Sequence, residues 1–222
     1  MRGSAICASL ARHPPPDGVA SLPLDAVNAS SVNAAFELLG QRWDRLDVLV
    51  FLVGFTITPP VALTEVRPEQ WDEVMAGNLR SAWLVARAAV PLMRQAGGVI
   101  VNVASTLGLH VLPGFGPYAA AKAGLIALTK SLAVECGPAI RANAVAPSAM
   151  HTAFMGGGTG RGGDDGGQEW FHQMPSSSGG GAPLGRIAVP DDVLGPVLFF
   201  ASPAARFITG QTLLVNGGRH MP

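Results

Sequence analysis

Six short apolar runs, separated by stretches with helical patterning, set the tightest limit on how this chain folds. Strands are predicted at Ser4 to Ser9, Val19 to Leu24, Leu46 to Val53, Gly98 to Ser105, Arg141 to Ala146 and Gln211 to Val215. In these runs apolar residues follow one another instead of alternating with polar ones. A strand reads that way when both of its faces are covered, as in a parallel sheet. Helices are predicted between them. The first is capped at Ser30-Ser31 and runs to about Trp43; the second has Pro68 in its first position and continues, with a break, to about Gln95. A third runs from about Pro117 to Cys136, where Gly137-Pro138 stops it, and a fourth from Pro190-Asp191-Asp192 to near Ala201. Strands alternating with helices imply right-handed βαβ units, hence an α/β fold with a doubly wound parallel sheet in three α/β/α layers. At 222 residues the chain suits one such domain and is short for two.

Composition removes several function classes. An apolar fraction of 48% with 14% charged residues belongs to a packed globular protein. Formal net charge is zero, which gives no electrostatic ground for nucleic acid or an anionic membrane as partner. The two cysteines, Cys7 and Cys136, make neither a disulfide framework nor a C-x-x-C motif, and they fit a reducing cytoplasm. No stretch reaches the roughly 18 uncharged apolar residues of a membrane span, and the start, Met1-Arg2-Gly3-Ser4, lacks a signal peptide's apolar run. One region breaks the pattern. Met155 to Ala182 is dominated by glycine, with Ser176-Ser177-Ser178 and Gly179-Gly180-Gly181, and reads as a flexible loop with a short helix around Glu169-Trp170-Phe171. A lid over a site and a plain insertion share that composition.

The chemistry concentrates in Asn102-Val103-Ala104-Ser105 and, thirteen positions after Ser105, Tyr118-Ala119-Ala120-Ala121-Lys122. Ser105 ends a predicted strand, the sheet edge at which open α/β folds bind ligands. Tyr118 and Lys122 are i and i+4 on the next helix and share a face. The chain has only one tyrosine and two lysines, Lys122 and Lys130, so chance would place a lysine four residues after the tyrosine in about one such chain in a hundred. A free phenol has a pKa near ~10, and a neighbouring ammonium is expected to lower it. Tyr118 would then protonate a carbonyl oxygen or deprotonate an alcohol, with Ser105 donating a hydrogen bond to the same oxygen. The plain alternative is a tyrosine packed on a helix beside a solubilising lysine.

This Ser, then Tyr-x-x-x-Lys, resembles the active site of the short-chain dehydrogenase/reductases, a Rossmann-like family, and the resemblance extends from about Val19 to Gly218. It implies an oxidoreductase that passes a hydride between NADP or NAD and a small carbonyl or alcohol. It also implies further site residues. Met75-Ala76-Gly77-Asn78-Leu79 is similar to the family context that supplies an asparagine, so Asn78 would hold a water beyond Lys122. Asp25 matches the acid that meets the adenine. Gly54 falls in the family's Asn-Asn-Ala-Gly position. Pro147 to Thr152 resembles the stretch whose threonine contacts the nicotinamide amide, which nominates Pro147 and Thr152. Tyr118 and Lys122 would touch the cofactor as well. His110, Phe115 and Phe154 are candidates for the pocket wall, with ordinary packing as the alternative.

The pattern departs from the family where the cofactor's phosphates belong. No G-x-x-x-G-x-G precedes Asp25, so the opening strand, turn and helix of the fold are expected to be missing, a unit of about 30 residues. Ser4 to Ser9 would then move in beside Leu46 to Val53, because an unpaired central edge is costly. Phe51-Leu52-Val53-Gly54 replaces the polar family motif, and Phe51 and Leu52 are expected to fill the vacated space. Ser148 replaces a glycine and Asn216 an aspartate more common at that position. Arg12 tilts cofactor choice towards NADP. A non-catalytic relative serving as an assembly or regulatory subunit is the rival reading, and a chain that continues upstream of Met1 through the turn is a third. Helices around Trp83 and Leu128, apolar on more than one face, suggest a homo-oligomer.

Overall fold

The structure, a computed structural model, describes residues 6–8, 20–150, 152, 154 and 182–221. Six parallel strands are present among them: β1 (Ile6–Ala8), β2 (Ala20–Leu22), β3 (Val48–Phe51), β4 (Gly98–Val103), β5 (Ile140–Pro147) and β6 (Thr212–Val215). The helices are α1 (Ala29–Arg42), α2 (Pro68–Met75), α3 (Ser81–Arg94), α4 (Gly116–Cys136) and α5 (Asp191–Ala201). All six strands and the four long helices expected from the patterning are there, and the short helix expected around Glu169-Trp170-Phe171 lies outside the described residues.

The sheet is divided. β3-β4-β5-β6 form one four-stranded ladder, and β1 pairs only with β2 in a separate two-stranded sheet. The expectation that Ser4 to Ser9 would lie beside Leu46 to Val53 is therefore wrong. Ile6 to Ala8 pair in register with Ala20 to Leu22, and among the described residues β3 has no strand on its outer edge. β1 and β2 satisfy each other's backbone groups, which removes the hydrogen-bonding incentive for β1 to cross to β3. Phe51 is buried as expected, but Leu52 is two-thirds exposed and fills no gap.

Both faces of the larger sheet are covered. Ile100 on β4 and Ala142, Ala144 and Ala146 on β5 pack with α1, α3 and α4 in the main core. Val99, Val101 and Val145, on the opposite face, pack against Val193 and Phe200 of α5. This alternation of two apolar sets, rather than of apolar and polar, explains the unbroken apolar runs. Full burial of each Val or Ile contributes about 1.5–3 kcal/mol. The short alanine side chains of β5 let the helices approach the sheet closely. Asn143, fully buried, is satisfied by the backbone of Gln211 and Ile208, and Asn102 by Thr129.

Two local expectations change. Asn28, not Ser30-Ser31, caps α1: its Oδ1 accepts from the amides of both serines at 2.9 and 3.1 Å. The break in the second helix is a π-helical turn over Ala76–Arg80, between α2 and α3. The glycine-rich stretch from 155 lies outside the described residues, apart from Ala182.

Candidate active site

Ser105 lies just past the C-terminal end of β4, with extended backbone (φ −163°, ψ 152°), and opens a 3₁₀ turn over Thr106–Gly108. Its Oγ accepts from the Leu107 amide at 3.1 Å. That contact fixes the rotamer and leaves the hydroxyl proton to donate elsewhere. Gly108 decides how near this turn comes to α4. A Cβ there would meet the Lys122 carbonyl carbon at 2.8 Å and the Ala123 nitrogen at 2.9 Å, so any side chain would push the turn off the helix. Sequence reading gave Gly108 no role.

Tyr118 and Lys122 stand one turn apart on α4, both buried. Ser105 lines the same cavity as the Tyr118 hydroxyl and acts on it electrostatically. Lys122 Nζ lies 5.6 Å from the Tyr118 ring centroid and donates to the Val103 carbonyl at 3.0 Å. The structure thus brings together the three residues nominated by spacing. The expected acidification of the phenol is overturned. Burial pushes the Tyr118 pKa above its ordinary value, and Ser105 offsets only part of that. Burial also lowers Lys122 to about 8. Sequence reasoning weighed the ammonium and left out desolvation, which acts on both groups and disfavours both charges.

Asn78 sits in the π-helical turn, fully buried. Its amide group donates to the carbonyls of Phe55 at 2.9 Å and Val74 at 2.8 Å, and its Oδ1 accepts from the Phe55 amide at 3.1 Å. It therefore clamps the strand-to-loop exit beside Gly54. A Cβ on Gly54 would lie 2.7 Å from Asn78 Oδ1 and 3.0 Å from Lys122 Nζ, so both polar atoms converge on one point that only glycine leaves clear.

Gly54, Ser105, Tyr118, Lys122, Pro147 and Thr152 all line one cavity of about 200 Å³. Phe115 and Phe154 line it too, and Phe154 packs its ring 5.3 Å from that of Tyr118. Asp25 does not reach this cavity. It lies exposed between β2 and α1, its amide donating to Ser31 Oγ and its Oδ1 accepting from the Val27 amide. His110 also stands off the wall itself and stacks on His220, which does line it, as does Arg219. These last two residues were missed in the sequence.

A family model described as enoyl-(acyl carrier protein) reductase matches residues 3–220. The chain belongs to the short-chain dehydrogenase/reductase family. The family makes it an NAD(P)-dependent oxidoreductase. It is 34% identical to the 3-oxoacyl-[acyl-carrier-protein] reductase FabG of Thermotoga maritima over 197 residues, covering 88% of this chain and 74% of that one. With the FabG of Staphylococcus aureus it shares 35% identity over 208 residues, 92% of this chain and 79% of that one. Aldohexose dehydrogenase of Thermoplasma acidophilum superposes with a TM-score of 0.85 at 26% identity, covering 99% of this chain and 86% of the other. No helix among the described residues is long and apolar enough to cross a membrane.

Proposed function

We propose that this enzyme interconverts a small carbonyl compound and its alcohol, with Tyr118 as the proton-transferring residue and NADP as the preferred cofactor. The observation that carries this is the convergence of Ser105, Tyr118 and the buried Lys122 on one cavity. A substrate oxygen placed there meets two hydroxyls. Ser105, with Oγ already accepting from Leu107, is free to donate. A phenol whose pKa is raised by burial holds its proton until a developing alkoxide takes it, which suits reduction better than an already ionised phenolate would. Lys122, near 8, is poised to carry charge or release it near neutrality and to resupply the phenol.

The cavity fits the nicotinamide end of the cofactor. Gly54 leaves a bare floor, Pro147 a rigid edge, and Thr152 and Lys122 polar groups for the amide and the ribose. Once bound, the cofactor supplies or accepts the hydride. Asn78 orients the Gly54-Phe55 backbone and faces Lys122 across Gly54, so it is assigned to positioning and to the proton path. Asp25 is assigned to the adenine end and Arg12 to the phosphate that distinguishes NADP. We further read the chain as one cytoplasmic domain acting as a homo-oligomer. Trp83, Val90 and Leu128 line an open groove on α3 and α4, with Arg87 and Arg94 on one helix and Glu135 on the other. That is a self-complementary arrangement for a two-fold contact with a second copy.

Replacing Tyr118 by Phe tests the assignment. Turnover with NADPH should fall by about 10²–10⁴-fold, while calorimetric NADPH affinity stays within about twofold. Turnover that survives the change removes Tyr118 from this role. Failure of both NADH and NADPH to bind at millimolar concentration would end the reading altogether.

A further inference from the structure

The π-helical turn between α2 and α3 has carbonyls that side chains satisfy. Asn78 donates to the Val74 carbonyl at 2.8 Å and Ser81 Oγ to the Gly77 carbonyl at 2.7 Å, each reaching four residues back, and both residues are fully buried. A π-turn gives up regular helical bonding and persists where its surroundings hold it. Phe55 holds this one from the strand side. Asn78 bonds both the amide and the carbonyl of Phe55, at 3.1 and 2.9 Å. The Phe55 ring, in turn, lies over Gly77. A Cβ on Gly77 would fall on the ring at Cε1, with Cζ 3.0 Å and Cδ1 3.2 Å away. The ring therefore fills the volume in which a side chain at 77 would begin. Gly77 is not one of the glycines with positive φ, so space, and not backbone conformation, calls for glycine here.

The two segments are thus fastened crosswise. The side chain of Asn78 grips the backbone of Phe55, and the side chain of Phe55 covers the backbone of Gly77. The amide grip alone would leave a hinge, and the ring removes it. The fastening lies beside the reacting groups. At Gly54, next to Phe55, Asn78 Oδ1 and Lys122 Nζ both come within 3.0 Å of one point. Lys122 Nζ donates to the Val103 carbonyl at 3.0 Å, and burial is what lowers its pKa. The other titratable groups lining the cavity are Tyr118, Arg219 and His220, and no Asp or Glu lines it among the described residues. Gly54, Phe55, Gly77 and Asn78 bring no charge of their own. What they give Lys122 is dryness, which depends on how closely the Gly54-Phe55 backbone is held to the π-turn.

We propose that Phe55 and Gly77 are a size-matched pair of positioning residues that holds Asn78 against Lys122 for proton transfer. This rests on the carbonyl chemistry assigned above, and the test separates the two because its first readout needs no turnover. Lys122 and Lys130 are the only lysines in the chain. Full-length protein grown with isotope-labelled lysine gives two side-chain NMR signals, with exposed Lys130 as the internal reference. In the wild type the Lys122 signal should titrate near 8. Phe55→Ala and the milder Phe55→Leu admit water, and the midpoint should rise by about half a unit or more towards the ordinary lysine value. Gly77→Leu evicts the ring and should do the same. The double variant Phe55→Ala/Gly77→Leu returns from the helix the volume removed from the loop, and its midpoint should fall back most of the way. Turnover should follow: kcat with NADPH down about tenfold in each single variant and largely recovered in the double, with KM for NADPH within about twofold throughout. A wild-type Lys122 that titrates at the ordinary lysine value overturns the proposal. So does a midpoint unmoved by the single changes, or a double variant no better than the worse single. If Phe55→Ala or Gly77→Leu fails to fold, Phe55→Leu and the double variant decide by the same criteria. If Tyr118→Phe keeps full turnover, the carbonyl chemistry fails, and the Lys122 titration still decides whether the pair holds its surroundings.

Discussion

Lys122 carries a stability signature that can be measured without any substrate. Its amine is buried, and its pKa is lowered from 10.5 to about 8 because burial penalises the charged form. The folded state thus holds this proton less tightly than the unfolded state does. Below pH 8 both states are charged and the folded protein bears the full penalty. Between pH 8 and 10.5 the unfolded chain keeps the proton that the folded chain has released, and stability rises with pH across that window. A drop from 10.5 to about 8 corresponds to about 3 kcal/mol, most of it recovered between pH 7 and pH 10. Other groups titrate too, so the quantity to measure is the difference between the wild type and Lys122→Met. Urea unfolding of both proteins at pH 7, 8, 9 and 10 yields it. The wild type should gain about 2–3 kcal/mol on the variant over that range. At pH 7 the methionine protein should be as stable as the wild type or more so, since it removes a buried charge whose one hydrogen bond among the described residues is to the Val103 carbonyl. A difference that stays flat with pH, or that falls, would show that Lys122 is not desolvated and would break the argument that it serves as a proton reserve near neutrality.

Three further outcomes are expected. Phe51→Ala opens a cavity in the main core, where Phe51 is buried on β3, and should lower unfolding free energy by about 3–5 kcal/mol, seen as a drop in Tm of about 10 °C. Gly54→Ala places a methyl group 2.7 Å from Asn78 Oδ1 and 3.0 Å from Lys122 Nζ. Steady-state kinetics should show kcat/KM reduced by about 10- to 100-fold, with Tm shifted far less than in Phe51→Ala. Asn28→Ala removes the two hydrogen bonds that cap α1 and should cost about 1 kcal/mol in urea unfolding with no change in kcat.

The legible part of the fold was the part whose signal is local. Each strand of the four-stranded sheet carries two apolar faces, Ile100 for the helices α1, α3 and α4 and Val99 and Val101 for α5, and that doubles the apolar signal in sequence. Strand pairing is a different matter. Nothing in Ser4 to Ser9 says which neighbour it joins, so its pairing with β2 instead of β3 was out of reach. The cap of α1 was misplaced by two residues because Asn28, Ser30 and Ser31 are all good capping residues, and only geometry says which one accepts. The reacting residues were legible because Ser105, Tyr118 and Lys122 fall within 18 positions and two of them share a helix turn. Arg219 and His220 were not, because their place in the cavity depends on a reversal at Gly217-Gly218 that brings them to His110, more than a hundred residues away in sequence. The protonation states were misjudged for a related reason. Sequence shows which charges are neighbours but not how dry they are, and dryness dominates at Tyr118 and Lys122.

The divided sheet and the intact site are compatible because the site is built on one half of it. Ser105 leaves β4, the neighbouring Ala104 amide donates to Val145 on β5 at 2.8 Å, Lys122 holds the Val103 carbonyl, and Gly108 seats the turn on α4. Every one of these ties lies within the ladder β3-β4-β5-β6 or the helix that covers it. β1 and β2 contribute to none of them. The proton-handling geometry is therefore insulated from the N-terminal sheet, and changes there should act on cofactor affinity while Tyr118 keeps its partners, just as well-separated sites combine additively. What the smaller sheet does supply is an approach to α1 and Asp25, the end assigned to the adenine. An enzyme so divided would register damage to β1–β2 in the KM for its cofactor, and damage to β4, β5 or α4 in kcat.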